Sequence, residues 1–445
     1  MIALKEMTNA TETKHRQSLA RAMQLEASGQ VVQAELLYVG LLKQRPGDID
    51  LSVRLAHLAQ KRGDTERALG LLHDAARAHP DEIRVAVALA LVLAHAQGLG
   101  PAIATLEAGL GRASDHPAAW LLLWQMRSAN GDAGAALQAA YQAVTRAQRA
   151  GHWKDAQTTP PHLLDAVAKA IEAVRVGRRE LFYGSFDDLR RQYGPSEVAR
   201  VERALSGYLR DWDSTPADER QRPKFFFFPD LPNSPYHDPD LQPWAGQLRA
   251  AFPEIRAEAI RVLEEERRLP NFVPDTARVE DYVSGDGPAP SWEAFFFYRR
   301  GERFDANHRR CPDTSAVLES IELCRIAEQA PEILFSVLKP GSHINPHHGV
   351  SNVRLVMHLP LVVPDDCALN LVDRGEHWWQ EGRLVMFDDT FLHEAWNRSD
   401  QTRIVLLMDC WNPHLTPVEK VAVKQLIETI GGLHEADRAP KGPPR

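Results

Sequence analysis

The residues that could do chemistry gather in two short stretches, NPHHGVSNVRLVMHLPL at 345–361 and FDDTFLHEAWN at 387–397. A histidine that binds a metal commonly has an acid two residues on, because an imidazole and a carboxylate so placed can reach the same ion. Two residues after His347, where that acid would be expected, stands Gly349. Either the site is broken or it works without a carboxylate at that position. In the second stretch Asp388 and Asp389 end an apolar run and His393 follows a short turn, 46 residues after His347. Ten residues beyond His393, RIVLLMDCW begins with Arg403. Its planar fork could grip a carboxylate at two points.

These residues must be positioned by strands. In RLVMHLPL the two-residue alternation puts Leu355, Met357 and Leu359 on one face, and Arg354, Val356 and His358 on the other. A polar face inside an apolar run either meets water or lines a pocket. From about residue 290, short apolar runs alternate with turns: WEAFFFYRRG, ILFSVLKPGSHI, VRLVMHLPLVV, CALNLV, GRLVMFDD and TRIVLLMDCW. Such spacing predicts an all-β sandwich or barrel. The run Phe225 to Phe228 predicts a buried strand, with a membrane contact as the alternative. His343, His348 and His377 are expected as surface or hydrogen-bonded histidines, Asp388 and Asp389 could cap a turn, and Trp396, Trp411 and Cys410 are expected to pack the interior.

The N-terminal third has a different grammar. Residues 18 to about 151 are rich in Ala and Leu, and glycines recur at Gly29, Gly63, Gly98 and Gly131, spaced by 34, 35 and 33 residues. Ala34, Tyr38, Leu41 and Pro46 align with Ala68, Leu72, Ala75 and Pro80. This resembles a tetratricopeptide repeat array of about four helix pairs, in which each pair's apolar face is covered by the next. The third unit is expected to depart from the pattern, with Ile103 where a small Ala should pack. Residues 156–222 read as connecting helices, 1–17 as a disordered N-terminus and 431–445 as a disordered tail.

The net charge of −8 and pI near 6.1 argue against a general affinity for nucleic acid. The first residues lack an apolar run of signal-peptide length, and VAVALALVLAHA at 85–96 is too short to cross a bilayer. No membrane anchor and a cytoplasmic location are therefore expected. Cys311, Cys324, Cys367 and Cys410 lack metal-site spacing and suit a reducing compartment.

The order of His347, His393 and Arg403 is similar to that of jelly-roll dioxygenases, which use iron(II), 2-oxoglutarate and O2. The phrases FFFPDLPNSPYHDP, FSVLKPGSHINPHHGVSN, RLVMHLPL, FDDTFLHEAWN and DCWNPHLTP resemble the aspartyl/asparaginyl β-hydroxylase family across about 223–418. The resemblance implies a jelly-roll (double-stranded β-helix) oxygenase domain over 223–430, behind the all-α repeat solenoid of 18–155. It implies His347 and His393 as the only protein ligands of the metal, with Gly349 in the vacant place and Asp389 near the metal without binding it. It implies Ser336 and Arg403 on the far carboxylate of 2-oxoglutarate and His358 near its metal-bound end. Val356 departs from those relatives that have Arg there; Arg354, on the same face, is the candidate to stand in. The activity implied is hydroxylation, above all at the β-carbon of Asp or Asn in a peptide or protein, which the repeat array could help to bind. Alternatives are a free or carrier-bound amino acid or acyl chain as substrate, halogenation through the vacant position, or a repeat-based adaptor with an inactive barrel.

Overall fold

The computed structural model describes residues 2–266, 268–273, 277–371 and 375–435, with side chains from residue 13 to residue 434 of these. The chain divides into two compact units, one of residues up to Arg178 and one of Arg179–His434.

The first unit is helical. Its pairs are Ile2–Ala27 with Val31–Gln44, Ile49–Lys61 with Thr65–Ala78, Ile83–Ala96 with Leu99–Arg112, and Pro117–Ala129 with Ala133–Arg149. Residues 2–17, expected without order, belong to the first helix. Its apolar C-terminal half supplies the reason: Ala22 is fully buried, and Leu19 and Leu25 pack on the cluster of Tyr38, Leu41 and Leu55. The recurring glycines have a common cause, since Gly29, Gly63, Gly98 and Gly131 all have φ between 79° and 92°, where a side chain is strained. The third unit keeps the repeat better than its glycine suggests. Gly98 flanks its helix directly, as Gln30, Asp64 and Asp132 flank theirs. Counting from those caps, Ala34, Ala68, Ala102 and Ala136 are equivalent, and all are buried. The small residue is thus Ala102, and the expectation for Ile103 came from aligning on a glycine that sits one position later in its turn.

The second unit holds the strands. The larger sheet contains β1 (Tyr236–His237), β3 (Trp292–Arg299), β4 (Glu302–Arg303), β5 (Ile333–Leu338), β7 (Arg354–Val362), β10 (Val385–Phe387) and β12 (Arg403–Trp411). Its order is β1-β10-β7-β12-β5-β3-β4. The smaller sheet contains β2 (Val283–Ser284), β6 (Ser342–His347), β8 (Cys367–Leu371), β9 (Gly375–Trp378) and β11 (His393–Asn397), in the order β2-β6-β11-β8-β9. All pairings are antiparallel. From β5 to β12 the chain passes repeatedly between the two sheets.

The larger sheet separates two environments. Leu355, Met357, Leu359, Ile404, Leu406 and Met408 point to the side packed with Leu248, Ile255, Ala259 and Leu318 of the helices Ala245–Ala250, Phe252–Glu265 and Pro312–Ser320. Arg354, Val356, His358 and Arg403 point into a cavity on the other side. The β-domain also begins earlier than residue 223, because Gln221 bridges to Phe391 and the Arg222 N–H donates to the Thr390 carbonyl at 2.8 Å. The phenylalanine run is not a strand. Phe226 makes one bridge, to Ser351, and Phe228 is paired on both backbone groups by the side chain of Asn352, at 2.8 Å each. Its partner is a loop, which cannot continue a ladder. Residues 436–445 of the expected tail lie outside the described residues.

Gly109 offers a test of packing against propensity. A Cβ there would lie 2.6 Å from the Ala86 Cβ and 3.2 Å from Ile83 Cδ1. Ala is favoured over Gly in a helix by about 1 kcal/mol, whereas overpacking costs about 1–3 kcal/mol. Gly109→Ala is therefore expected to lower the thermal midpoint followed by circular dichroism at 222 nm; a raised midpoint would show that the helices separate freely.

Candidate functional site

His347 ends β6 and His393 opens β11, and the register of these neighbouring strands sets the two residues opposite each other. Their ring centroids are 4.1 Å apart. Each Nδ1–H donates to a backbone carbonyl, His347 to Asn345 at 2.8 Å and His393 to Phe391 at 2.9 Å. A carbonyl only accepts, so the proton is on Nδ1 and the Nε2 lone pair is free. Burial lowers the pKa of both rings, well below the usual range for His393, with the neighbouring His347 acting in the same direction. Both are thus neutral at pH 7 and suited to a divalent metal. Among the described residues no three His, Cys, Asp or Glu side chains converge as a metal-binding group, so the imidazole pair is what the chain itself offers.

The cavity behind the pair has a volume of about 180 Å³ and contains Ser336, Arg354, Val356, His358, Asp389 and Arg403 among its walls. Arg403 is 1% exposed. Its Nε has no hydrogen-bond partner, and its guanidinium lies 4.9 Å from the ring of Trp379. Burial pulls its pKa down to about 10, and no carboxylate among the described residues opposes that shift. It nevertheless stays charged at neutral pH. Ser336 Oγ accepts from the Trp292 indole N–H at 2.9 Å, which leaves its own proton for another acceptor. Both nitrogens of His358 are buried without partners, and burial, followed by Arg403, holds its pKa down to about 3. A guanidinium with its Nε unpartnered, a hydroxyl with its proton to spare and a neutral imidazole with neither nitrogen partnered therefore line one cavity. Buried groups in this state call for a polar, anionic ligand, and with the free Nε2 pair they fit a metal with a small dicarboxylate.

The sequence candidates meet in this cavity, with one difference. Arg354 is committed elsewhere: its Nη1 is 2.6 Å from Asp409 Oδ1 and its Nη2 is 3.3 Å from Asp389 Oδ2. It holds acids of the chain rather than standing open to a cosubstrate. Asp388 is the turn cap, accepting from the Thr390 N–H at 2.9 Å and from the Thr390 hydroxyl at 2.5 Å. Asp389 is left to face the cavity. His343 pairs with Glu394 at 2.7 Å, and His348 bonds the Thr390 carbonyl at 2.8 Å. All four cysteines are free and buried.

Sequence reasoning missed Trp292, Trp379, Glu332 and Asp409. Asp409 had a usable signal, since it shares parity with Arg403 on β12 and must point to the same side. Glu332 lines the cavity with one oxygen unpartnered, and burial, reinforced by Asp409, raises its pKa to about 7. A carboxyl whose folded pKa exceeds its unfolded value stabilises the fold when protonated and loses that contribution as pH rises from about 4.5 to 7. Glu332→Gln is accordingly expected to raise stability at pH 8 relative to wild type by up to about 3 kcal/mol, and far less at pH 4.5. Urea unfolding at both pH values measures the difference; an equal gain at both would remove the assignment.

Residues 249–413 match the family described as Aspartyl/Asparaginyl beta-hydroxylase, and residues 25–92 match Tetratricopeptide repeat. The chain is 36% identical over 193 residues to the ornithine lipid ester-linked acyl 2-hydroxylase of Rhizobium tropici, covering 43% of this chain and 65% of that protein. It is 29% identical over 250 residues to aspartate beta-hydroxylase domain-containing protein 2 of Mus musculus, covering 56% and 70%. To the aspartyl/asparaginyl beta-hydroxylase of Mus musculus it is 31% identical over 167 residues, 37% of this chain and 21% of that one. The chain thus spans just under two thirds of the first of these relatives and about a fifth of the last. No helix among the described residues is long and apolar enough to cross a membrane. In residues 249–413, behind its tetratricopeptide repeats, the chain carries a domain of the aspartyl/asparaginyl β-hydroxylase family.

Proposed function

We propose that this domain is an iron(II)- and 2-oxoglutarate-dependent oxygenase that hydroxylates a C–H bond. The observation that carries the reading is Arg403, a fully buried guanidinium with no counter-charge among the described residues, in the same cavity as two imidazoles with free Nε2 atoms. His347 and His393 would hold the metal, which when bound supplies the activation of dioxygen. Arg403 and the Ser336 hydroxyl would bind the far carboxylate of 2-oxoglutarate, and His358, kept neutral, would hydrogen-bond its near end. Trp292 and Trp379 fix the orientation of Ser336 and Arg403 and wall that end with apolar surface.

If the assignment holds, Arg403→Ala removes a charge-assisted contact of about 1.5–3 kcal/mol and weakens 2-oxoglutarate binding by about ten- to a hundredfold. The weak visible band of an anaerobic iron(II) and 2-oxoglutarate complex reports that affinity, with His393→Ala as the variant that should lose the band. Unchanged affinity in Arg403→Ala would reject the cosubstrate site.

Charge bears on the substrate. Arg354 and Arg403 are the two cations among the cavity-lining residues; Arg354 is tied to Asp389 and Asp409, and Arg403 is assigned to the cosubstrate. Among the described lining residues no cation remains for an acidic substrate side chain. The β-carbon of Asn is a methylene beside an uncharged carbonyl, and so is the 2-position of an ester-linked acyl chain. The β-carbon of Asp sits beside a carboxylate. The reading therefore takes a methylene beside an uncharged carbonyl as the target, presented by an Asn-containing peptide or by an acyl ester, with the repeat array as a protein-binding segment. Succinate formation above the substrate-free rate is expected with an acyl ester or an Asn peptide and not with the matching Asp peptide. An Asp peptide that stimulates best would overturn the charge argument.

A further inference from the structure

The cavity meets solvent through an apolar mouth. The alternation that turns Arg403 inward does the same for Leu407 on β12, which lies opposite Leu334 of β5 on one side and opposite His358 of β7 on the other. Leu334 in turn lies opposite Phe296 of β3. A row of three apolar side chains on three adjacent strands thus leads sideways from His358. Leu334 and Phe296 are buried, and the partly exposed Phe272, Phe304 and Leu407 pack against them. Phe272 and Leu407 also line the cavity, as does Tyr282, which is 44% exposed and marks where the cavity reaches water.

This surface is held in place. Phe272 stacks on Trp292 with 3.9 Å between ring centroids, and its carbonyl accepts from Arg299 Nη2 at 2.9 Å. The same guanidinium lies 4.5 Å from the Phe296 ring. Trp292 donates to Ser336, so the mouth is tied to the interior of the cavity. A peptide and an acyl ester both present a methylene beside an uncharged carbonyl, and the mouth distinguishes them. An extended peptide brings an N–H and a C=O at every residue, each costly to bury without a partner. Phe272 and Leu407, with Leu334 and Phe296 behind them, have no side-chain donor or acceptor to offer. A hydrocarbon tail needs none, and gains from every methylene withdrawn from water. We propose that Phe272, Leu407 and Tyr282 form a seat for an acyl chain, and that the substrate is an acyl ester whose tail leaves the cavity across them. The proposal rests on the oxygenase reading of the cavity.

The test measures tail binding apart from turnover. Trp292 stacks against Phe272, so bromine on a bound chain quenches its indole fluorescence. Straight-chain glycerol esters of increasing length, brominated along the chain, are titrated into the full, metal-free protein. Affinity is expected to rise about fourfold per methylene and to level off once the tail extends past Tyr282. Leu407→Asn, close in size but polar, is expected to flatten this dependence. Tyr282→Ser, at an exposed position where folding is not at stake, should weaken the longer esters by about tenfold. Succinate formation by the iron-loaded protein should follow the same order of chain lengths. Affinity that ignores chain length in wild type, quenching that is unchanged in both variants, or an Asn peptide that stimulates succinate formation more than any ester overturns the proposal. Failure of the reading beneath it has a different signature. Esters that bind with the expected dependence to a protein that forms no visible band with iron(II) and 2-oxoglutarate reject the oxygenase, and with it the ester as substrate. A band without chain-length dependence rejects the acyl seat alone.

Discussion

Burying a guanidinium without a counter-charge costs several kcal/mol, and the β-domain does this at Arg403, which has none among the described residues and opens the interior strand β12. The strand offsets the cost on its other face. Ile404, Leu406, Met408 and Cys410 alternate with Arg403 and enter the core beneath the helices, each 3% exposed or less. Two-residue periodicity thus lets one strand stabilise the fold with half its side chains and hold an unsatisfied charge with another. The charge then shapes its surroundings. Trp379 lies beside it, His358 is kept neutral by burial and by the cation, and the Ser336 hydroxyl is turned by Trp292.

The parts of this site that depend on local pattern were legible in the sequence. Alternation in RLVMHLPL separated Leu355, Met357 and Leu359 from Arg354, Val356 and His358, and the sheet sets these groups on opposite faces. The spacing of His347, His393 and Arg403 pointed to one constellation, and all three line one cavity. What stayed illegible was partner choice among residues distant in the chain. Arg354 lies 35 residues from Asp389 and 55 from Asp409, and only the β10-β7-β12 order shows that these acids claim it before any ligand can. The phenylalanine run misled for a related reason. Its composition suits a strand, but the backbone it meets is a loop, and an Asn352 side chain completes its hydrogen bonds.

In the repeat unit the glycine spacing was legible and its phase was not. A left-handed residue is required in each tight turn, but it can stand at either of two adjacent positions, and Gly98 takes the later one. The buried alanines are stricter. Ala34, Ala68 and Ala102 are each fully buried, where a larger side chain would force the helices apart. Packing therefore holds a spacing of 34 residues to the position, while the turn tolerates a shift of one.

The vacant acid position and the apolar Val356 have linked consequences for charge. With Gly349 at one and Val at the other, the lining residues close to the imidazoles contribute neither a carboxylate from the loop after β6 nor a free cation from β7. Asp389 enters that space from the turn before β11, and Arg354 follows it as the countercharge. An Arg at 356 would stand two residues from Arg354 on the same face, and would compete for Asp389 and for Asp409, which pairs with position 356 across the sheet. Among the described lining residues, the valine leaves Arg354 as the partner of both acids and Arg403 as the uncommitted cation. On the proposed reading, selectivity for a small dicarboxylate would come from a single fixed charge at one end and the imidazole pair at the other, with an apolar middle of Val356, Phe387 and Leu369 between them.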